Sequence, residues 1–263
     1  MKPNIAKLLK KSDIFHGNGE STFSQHIFDD VVTNDTYGLR TCNFTPDTVY
    51  DIGAHIGCFA ALAREVWPTA KIVSIEPDPD NFERLSKVGE LLGNIQCINA
   101  ALGNAPLHFC RGTGSDSHCY QGISTKATKE WFDNRAPQHI VPSDIPCLSL
   151  CDIVSLAESP GKYVIKVDVE GGECCIYDSQ EDTDAIRAST YFAFEVHIKQ
   201  PEWDAPPTAS RFCERYIQTH HSILYSSMMW LYAQSDSHEI NIDIPHPLCW
   251  IAIGKQRPTC ITI

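Results

Sequence analysis

The chain has 263 residues, 43% of them hydrophobic, with 21 lysines and arginines against 33 aspartates and glutamates and a formal net charge of −12 at pH 7. That size and apolar content supply one full core, and the acidic balance works against gripping a phosphate backbone by charge, so a nucleic-acid partner is disfavoured. No apolar run is long enough to span a bilayer, and charges spread through Met1 to Lys11 leave no signal-peptide core, which predicts a cytosolic protein without a membrane anchor.

Residues 1–46 read as an extension ahead of the core. Ile5, Leu8 and Leu9 lie among four lysines in the first eleven residues and suggest a short amphipathic helix, and Ser24 to Val32 suggests another. Two roles fit this extension, a packed cap or a lid over a substrate site. Val49 to Ile52 is a short buried strand that runs into the turn Gly53-Ala54-His55-Ile56-Gly57. Phe59, Leu62, Ala63 and Val66 then recur at helical spacing. Ile72 to Ile75 is a second strand that ends on an exposed acid, Glu76, followed by Pro77. Asp78 is placed to cap, and Pro79 to open, a helix that carries Phe82, Leu85, Val88, Leu91 and Leu92 inward.

Ile95 to Leu102 reads as the third strand, and there the regular rhythm stops. Leu107 to Arg111 looks like a strand, Gly112 to His118 like a flexible loop, and Tyr120 to Pro146 has no clear period. The stretch at about 110–146 is therefore an irregular insertion, which in a compact domain is more often functional than idle. Regularity returns with a helix over Leu148 to Leu156, a buried strand over Tyr163 to Asp168, a helix from Glu173, a strand over Tyr191 to Val196 and a helix over Ala209 to His220. Strands His221 to Met229 and Leu248 to Gly254, separated by a polar loop, would close the sheet as an antiparallel pair. The predicted fold is α/β, a doubly wound, mostly parallel seven-stranded sheet over 47–263, preceded by a helical extension. Twelve cysteines without a Cys-x-x-Cys pair read as buried thiols, not as a zinc framework.

The chemistry gathers where strands end. In an open α/β sheet an acid at the end of the second strand lies beside the first turn and can accept both hydroxyls of a ribose, which makes Glu76 a nucleoside-cofactor residue. A glycine turn at a helix N-terminus leaves backbone N–H groups beside such a ligand. A dinucleotide fingerprint needs glycine where this chain has Asp51 and Ile56. The Asp51 anion would repel a pyrophosphate but suits a ligand carrying an ammonium and a sulfonium, such as S-adenosylmethionine. Gly53 lets the backbone approach that ligand, and Gly57 lets the helix pack closely on the strand. Asp-x-Gly-x-x-x-Gly with its downstream Glu resembles the class I methyltransferases.

Lys166-Val167-Asp168-Val169-Glu170-Gly171-Gly172-Glu173 ends one later strand and Phe194-Glu195-Val196-His197 the next, and adjacent carboxyl ends line one crevice. These blocks, with Asp51 to Gly57, Ile75 to Phe82 and Asn99 to Gly103, resemble in order the successive blocks of the FkbM-type S-adenosylmethionine-dependent methyltransferases, across about 150 residues. The Asp-Val-Glu-Gly block is the most specific. Gly172, where the family more often has alanine, and the insertion depart from the pattern.

The resemblance implies methyl transfer, commonly to a hydroxyl of a sugar, polyketide or other natural product, and in some similar enzymes to a side-chain amide of a peptide. It places Asp51, Gly53, Ala54, His55, Gly57, Glu76 and Pro77 at the cofactor, with Asp168, and puts Asn99, Ala100 and Ala101 near its adenine. An aliphatic hydroxyl is a weak nucleophile, so its proton needs an acceptor. His197 is the base by intrinsic pKa, with Glu195 or Asp168 to orient it or share the proton, and Glu170 completes the acidic cluster. A second mechanism lets Asp168, Glu195 and His197 hold Mg²⁺ or another divalent cation as a Lewis acid, with weaker support because the residues are split between two strand ends. An NAD(P)-dependent oxidoreductase and a non-catalytic cofactor-binding scaffold are the rival functions, and a homo-oligomer is compatible with all of them.

Overall fold

The computed structural model describes residues 21–103, 108–110, 140–142, 144–157, 161–169, 176, 179–197, 238–246 and 249–256. At its centre is a seven-stranded sheet in the order β10-β11-β9-β8-β1-β2-β3. Its members are β1 (Thr48–Ile52), β2 (Lys71–Ile75), β3 (Ile95–Ile98), β8 (Tyr163–Val167), β9 (Tyr191–His197), β10 (His238–His246) and β11 (Cys249–Gln256). Five of these strands run parallel from β3 to β9, and β11 lies antiparallel to both β9 and β10.

The strand order reverses between β1 and β8. From β1 the chain moves outward through β2 to β3, then returns to the other side of β1, so the carboxyl ends of β1 and β8 flank the switch point where open α/β sheets hold ligands. Period-two alternation sends Val49, Ile72, Val164 and Tyr191 to one face and Tyr50, Val73, Ile165 and Phe192 to the other. The first face is covered by helices α2 (Cys58–Val66) and α3 (Pro79–Leu92), the second by α4 (Leu150–Ser155) and α5 (Gln180–Ala188). Both faces are therefore dry, as a parallel sheet requires.

Helix α2 is buried well beyond the stripe of Phe59, Leu62, Ala63 and Val66 that its spacing marks out, since everything from Cys58 to Arg64 is buried. Phe28 at the end of α1 (Ser21–Phe28), Val32 in the π-turn Asp29–Thr33, Tyr37, and Leu39 in a 3₁₀ turn (Leu39–Thr41) pack into the same core cluster as this helix. These four side chains anchor the segment before β1 to the core, while Asp30, Thr33 and Asn34 between them are exposed. Helix α3 starts as its sequence predicts. Asp78 accepts from the amides of Asp80 at 2.8 Å and Asn81 at 3.0 Å, and Pro79 occupies the first turn, where its missing N–H costs nothing. Leu91 departs from the inward set and is 44% exposed.

Several boundaries move. The third strand ends at Ile98; Ala101 and Leu102 form β4, which leaves the main sheet to pair with β7 (Cys147–Leu148). Helix α4 consequently begins at Leu150, where Ser149 and Asp152 form a reciprocal capping box. Residues 108–110 (β5) pair antiparallel with Ile140–Pro142 (β6), so the insertion is bracketed by a short ribbon, while 111–139 lie outside the described residues. Helix α5 starts at Gln180 behind a Ser179 cap, and most of the helix expected from Glu173 lies outside the described residues, as do the helix at 209–220 and the strand at 221–229. The antiparallel closing pair is β10 with β11, so what reads as a polar loop before Leu248 is a strand. Ile240, Ile242 and Ile244 alternate with Asn241 and Asp243, a period-two signal that the polar residues obscured. Among the described residues no helix is long and apolar enough to cross a membrane.

Candidate functional site

The turn after β1 is fastened to the end of β2 by main-chain groups. The amides of Gly53 and Ala54 both donate to the Ile75 carbonyl, at 3.0 and 2.9 Å, and the Gly57 amide donates to Ala54. The His55 amide, at a residue with φ 50°, donates to Glu76 Oε2 at 2.7 Å, and the Asp78 amide donates to Glu76 Oε1 at 2.9 Å. These contacts correct two expectations. The N–H groups of Gly53, Ala54 and His55 are committed to the end of β2 and that of Gly57 to Ala54, and Glu76 is buried because both its oxygens are drawn onto amides of the loops they join. Burial pushes Glu76 up to about 7, against the Asp78 and His55 amides, which favour its charged form.

The two glycines earn their place through the protein's own packing. A Cβ on Gly53, at φ +75°, would sit 1.7 Å from the Asp168 carbonyl oxygen, so the close approach is to the end of β8. Gly57 caps α2 at φ +91°, and a Cβ there would press on Leu85 and Val88 of α3 at 3.1 Å, which makes its close neighbour a helix instead of the strand. Asn99 donates to the carbonyls of Glu76 and Pro77 at 2.8 and 3.0 Å and so ties the end of β3 to the loop after β2. Ala100 and Ala101 are buried in the core beside it.

Across the switch point stands a cluster of charges. Lys166, 3% exposed and next to last in β8, donates to the Gly53 carbonyl at 2.6 Å and lies 3.5 Å from Asp51 Oδ1 and 3.4 Å from Asp168 Oδ2. Burial alone would lower this lysine, but Asp168, Asp51 and Glu195 outweigh it and hold the ammonium above its ordinary value. Asp51 is wholly buried. Burial raises its carboxyl, with Lys166 opposing. Neither Asp51 oxygen makes a hydrogen bond of good geometry among the described residues; Lys166 at 3.5 Å and the Ala60 amide both favour its charged form.

Register brings the two later blocks together. Val167 pairs with Phe194, so Asp168 and Glu195 follow as neighbours at the ends of β8 and β9. The Tyr37 hydroxyl lies between them, 2.9 Å from Glu195 Oε2 and 3.1 Å from Asp168 Oδ2. His197 ends β9 in register with Cys249, and Glu170 lies outside the described residues. The structure thus gathers Asp51, Asp168 and Glu195 around Lys166, with Glu76 across the turn. Lys166 and Tyr37 were absent from the expected site. A lysine inside the apolar run Tyr163–Val167 was a legible signal, since an ammonium is not buried there without partners. Tyr37 carries no local signal at all. Among the described residues no group of three or more His, Cys, Asp or Glu side chains is arranged to hold a metal ion.

The model of the methyltransferase FkbM domain matches residues 51–197, from Asp51 at the end of β1 to His197 at the end of β9. Methyltransferase sdnD of Sordaria araneosa is 27% identical over 173 residues, covering 57% of this chain and 66% of its own length. Hexuronic acid methyltransferase AglP of Haloferax volcanii is 25% identical over 156 residues, covering 57% of this chain and 56% of its own length. The chain therefore spans less than two thirds of either relative. Among solved structures, the precorrin-6y C5,15-methyltransferase of Geobacter metallireducens aligns with a TM-score of 0.46 and 10% identity over 91% of this chain and 92% of that one.

Proposed function

The chain belongs to the family of methyltransferases with an FkbM domain, and from that premise we propose that it transfers the methyl group of S-adenosylmethionine to a hydroxyl of a small molecule, sugar or other natural product. The observation that carries this reading is the charge balance at the switch point. Three carboxylates, Asp51, Asp168 and Glu195, surround the single ammonium of Lys166, and the excess negative charge complements a ligand bearing a sulfonium and an ammonium. The Asp51 oxygens, buried without a well-formed hydrogen bond, are the kind of acceptor such a ligand would meet. Glu76 retains lone pairs beyond its two amide bonds with which to accept ribose hydroxyls. Asn99 stands beside it where the adenine is expected.

The donor supplies a methyl group on a positively charged sulfur; the chain's part is to place the acceptor in line and receive its proton. His197 is assigned as the base, with Glu195, Asp168 and Glu170 as the acids that orient it or share the proton. A divalent cation on Asp168, Glu195 and His197 is the second mechanism. Residues before 47 and the insertion at about 110–146 are assigned to covering the acceptor and excluding water. One relative is named for a hexuronic acid, which bears hydroxyls, and this favours a sugar-like acceptor over a peptide amide. The oxidoreductase reading loses support because Asp51 and the committed turn amides suit a pyrophosphate poorly.

Turnover of labelled S-adenosylmethionine over a panel of hydroxylated acceptors and peptide amides tests the reaction, and chelation tests the mechanism. With His197 as base, His197→Ala should lower kcat about 10²- to 10⁴-fold while donor affinity holds, and chelator should change nothing. Chelator-sensitive turnover restored by Mg²⁺ or Mn²⁺ would transfer the role to a metal.

A further inference from the structure

Tyr37 precedes the segment matched by the family model, yet its side chain stands among the acids of the site. Its ring is buried and packs edge-on against Phe59 of α2 at 5.4 Å and 81°. The Tyr191 hydroxyl donates to its main-chain carbonyl, which fixes its backbone on β9, and Lys166 Nζ lies 5.9 Å from its ring centroid. The residue is thus immobilised from below while its hydroxyl faces two carboxylates.

We propose that Tyr37 is a positioning residue of the methyl-transfer site: its one phenolic hydrogen, shared between Glu195 Oε2 and Asp168 Oδ2, clamps the acids at the ends of β8 and β9 side by side in their ionised forms. Two like charges at this separation repel, and each favours protonation of the other. A donor common to both offsets that repulsion and holds their spacing, which β-strand register alone fixes only at the main chain. Burial, then Asp168 and Glu195, hold the phenol well above its ordinary range, so it acts as a donor and not as an anion. Lys166 on β8 also faces the pair, with Asp51 on β1 beyond it; Cys58 on α2, close to Asp51 and Lys166, is kept neutral by burial, and the Tyr191 hydroxyl is turned to the Tyr37 carbonyl. That the clamped acids serve methyl transfer rests on the function proposed above; that they are clamped does not.

The test reads the acids directly. Carbon-13 titration of the Asp168 and Glu195 carboxyls in ligand-free protein should show both moving upward by about one pH unit, a tenfold change in proton affinity, in Tyr37→Phe. The acidic limb of the pH profile for kcat should move the same way, with donor KM nearly unchanged. Because Phe keeps the ring against Phe59, the fold should survive; 3-fluorotyrosine at position 37, a stronger donor, offers an independent arm and should move both titrations downward. Carboxyl titrations that stay put in both variants overturn the proposal. Titrations that shift in both variants, together with a wild-type protein that neither binds S-adenosylhomocysteine nor turns over, would support the clamp and overturn the methyl-transfer reading instead.

Discussion

Among the described residues two buried cations, Arg64 and Lys166, sit at opposite ends of the sheet, and they are used in opposite ways. Arg64, 7% exposed on α2, lies at the amino-terminal rim and donates to the carbonyls of Pro68, Ala70, Gly93 and Asn94, all at 2.8 to 2.9 Å. Its partners are neutral main-chain groups in the loops leading into β2 and β3. Lys166 lies at the carboxyl-terminal rim and faces Asp51 and Asp168. Burial of a charge is therefore not itself the mark of a site. Where a cation is spent on fixed carbonyls it fastens loops; where it is shared among carboxylates it leaves a field that a ligand's charges can complete.

That comparison can be broken in several places, and the largest effect is expected at the glycine that lets the carboxyl rim close. Gly53→Ala places a methyl 1.7 Å from the Asp168 carbonyl at a positive φ, so backbone must move; denaturant unfolding should show a loss of about 4 kcal/mol or more, and a near-wild-type midpoint would mean the two strand ends do not meet as described. Arg64→Met should cost about 4 kcal/mol by leaving four carbonyls without their donor, at every pH between 5 and 8, while calorimetry finds donor affinity unchanged in the protein that remains folded.

Lys166→Met should cost about 3 kcal/mol, and here the pH dependence distinguishes the rims. Asp51 is raised by burial and in the variant loses the ammonium that opposes this. A carboxyl raised in the folded state contributes stability below its unfolded pKa and loses it as pH rises through the folded value, so the deficit should widen from acidic to alkaline pH. A constant deficit would place Lys166 with Arg64 as a structural clamp.

The smallest effect is expected at Glu76. Its folded value of about 7 against an ordinary 4.5 means that its stability contribution is present below about 4.5 and is lost as pH rises through 7. Ribose hydroxyls donate best to the charged form, so affinity for S-adenosylhomocysteine should rise several-fold as pH rises through 7, a trend that Glu76→Gln removes. Identical pH profiles for the two proteins would assign Glu76 to loop fastening alone.

Legibility in the sequence divides along the same line. Strands β1, β2, β8 and β9 and helix α3 could be read because their signals are local: an apolar run, a glycine turn, Asp78 before Pro79. The acids at the ends of β8 and β9 could be paired because parallel register makes strand ends neighbours. Tyr37 could not be placed, since its hydroxyl meets Asp168 and Glu195 across 131 and 158 residues and nothing in its neighbourhood announces this. The sequence puts Glu76 at the right turn but as an exposed acid, because a sequence cannot show which main-chain amides a carboxylate will satisfy. Strand β10 is hidden for a different reason: Asn241 and Asp243 make an edge strand look like a loop, although polar residues are normal in a strand at a sheet edge.

The most direct test of the central claim, that the carboxyl rim binds a methyl donor with Glu76 on its ribose, is calorimetry of S-adenosylhomocysteine and NAD on the wild type and Glu76→Ala. The account predicts that S-adenosylhomocysteine binds the wild type, that NAD does not, and that Glu76→Ala loses about 2 to 4 kcal/mol of affinity with the removed pair of charge-assisted hydrogen bonds. Equal affinity in the two proteins, or NAD binding in place of S-adenosylhomocysteine, would contradict it.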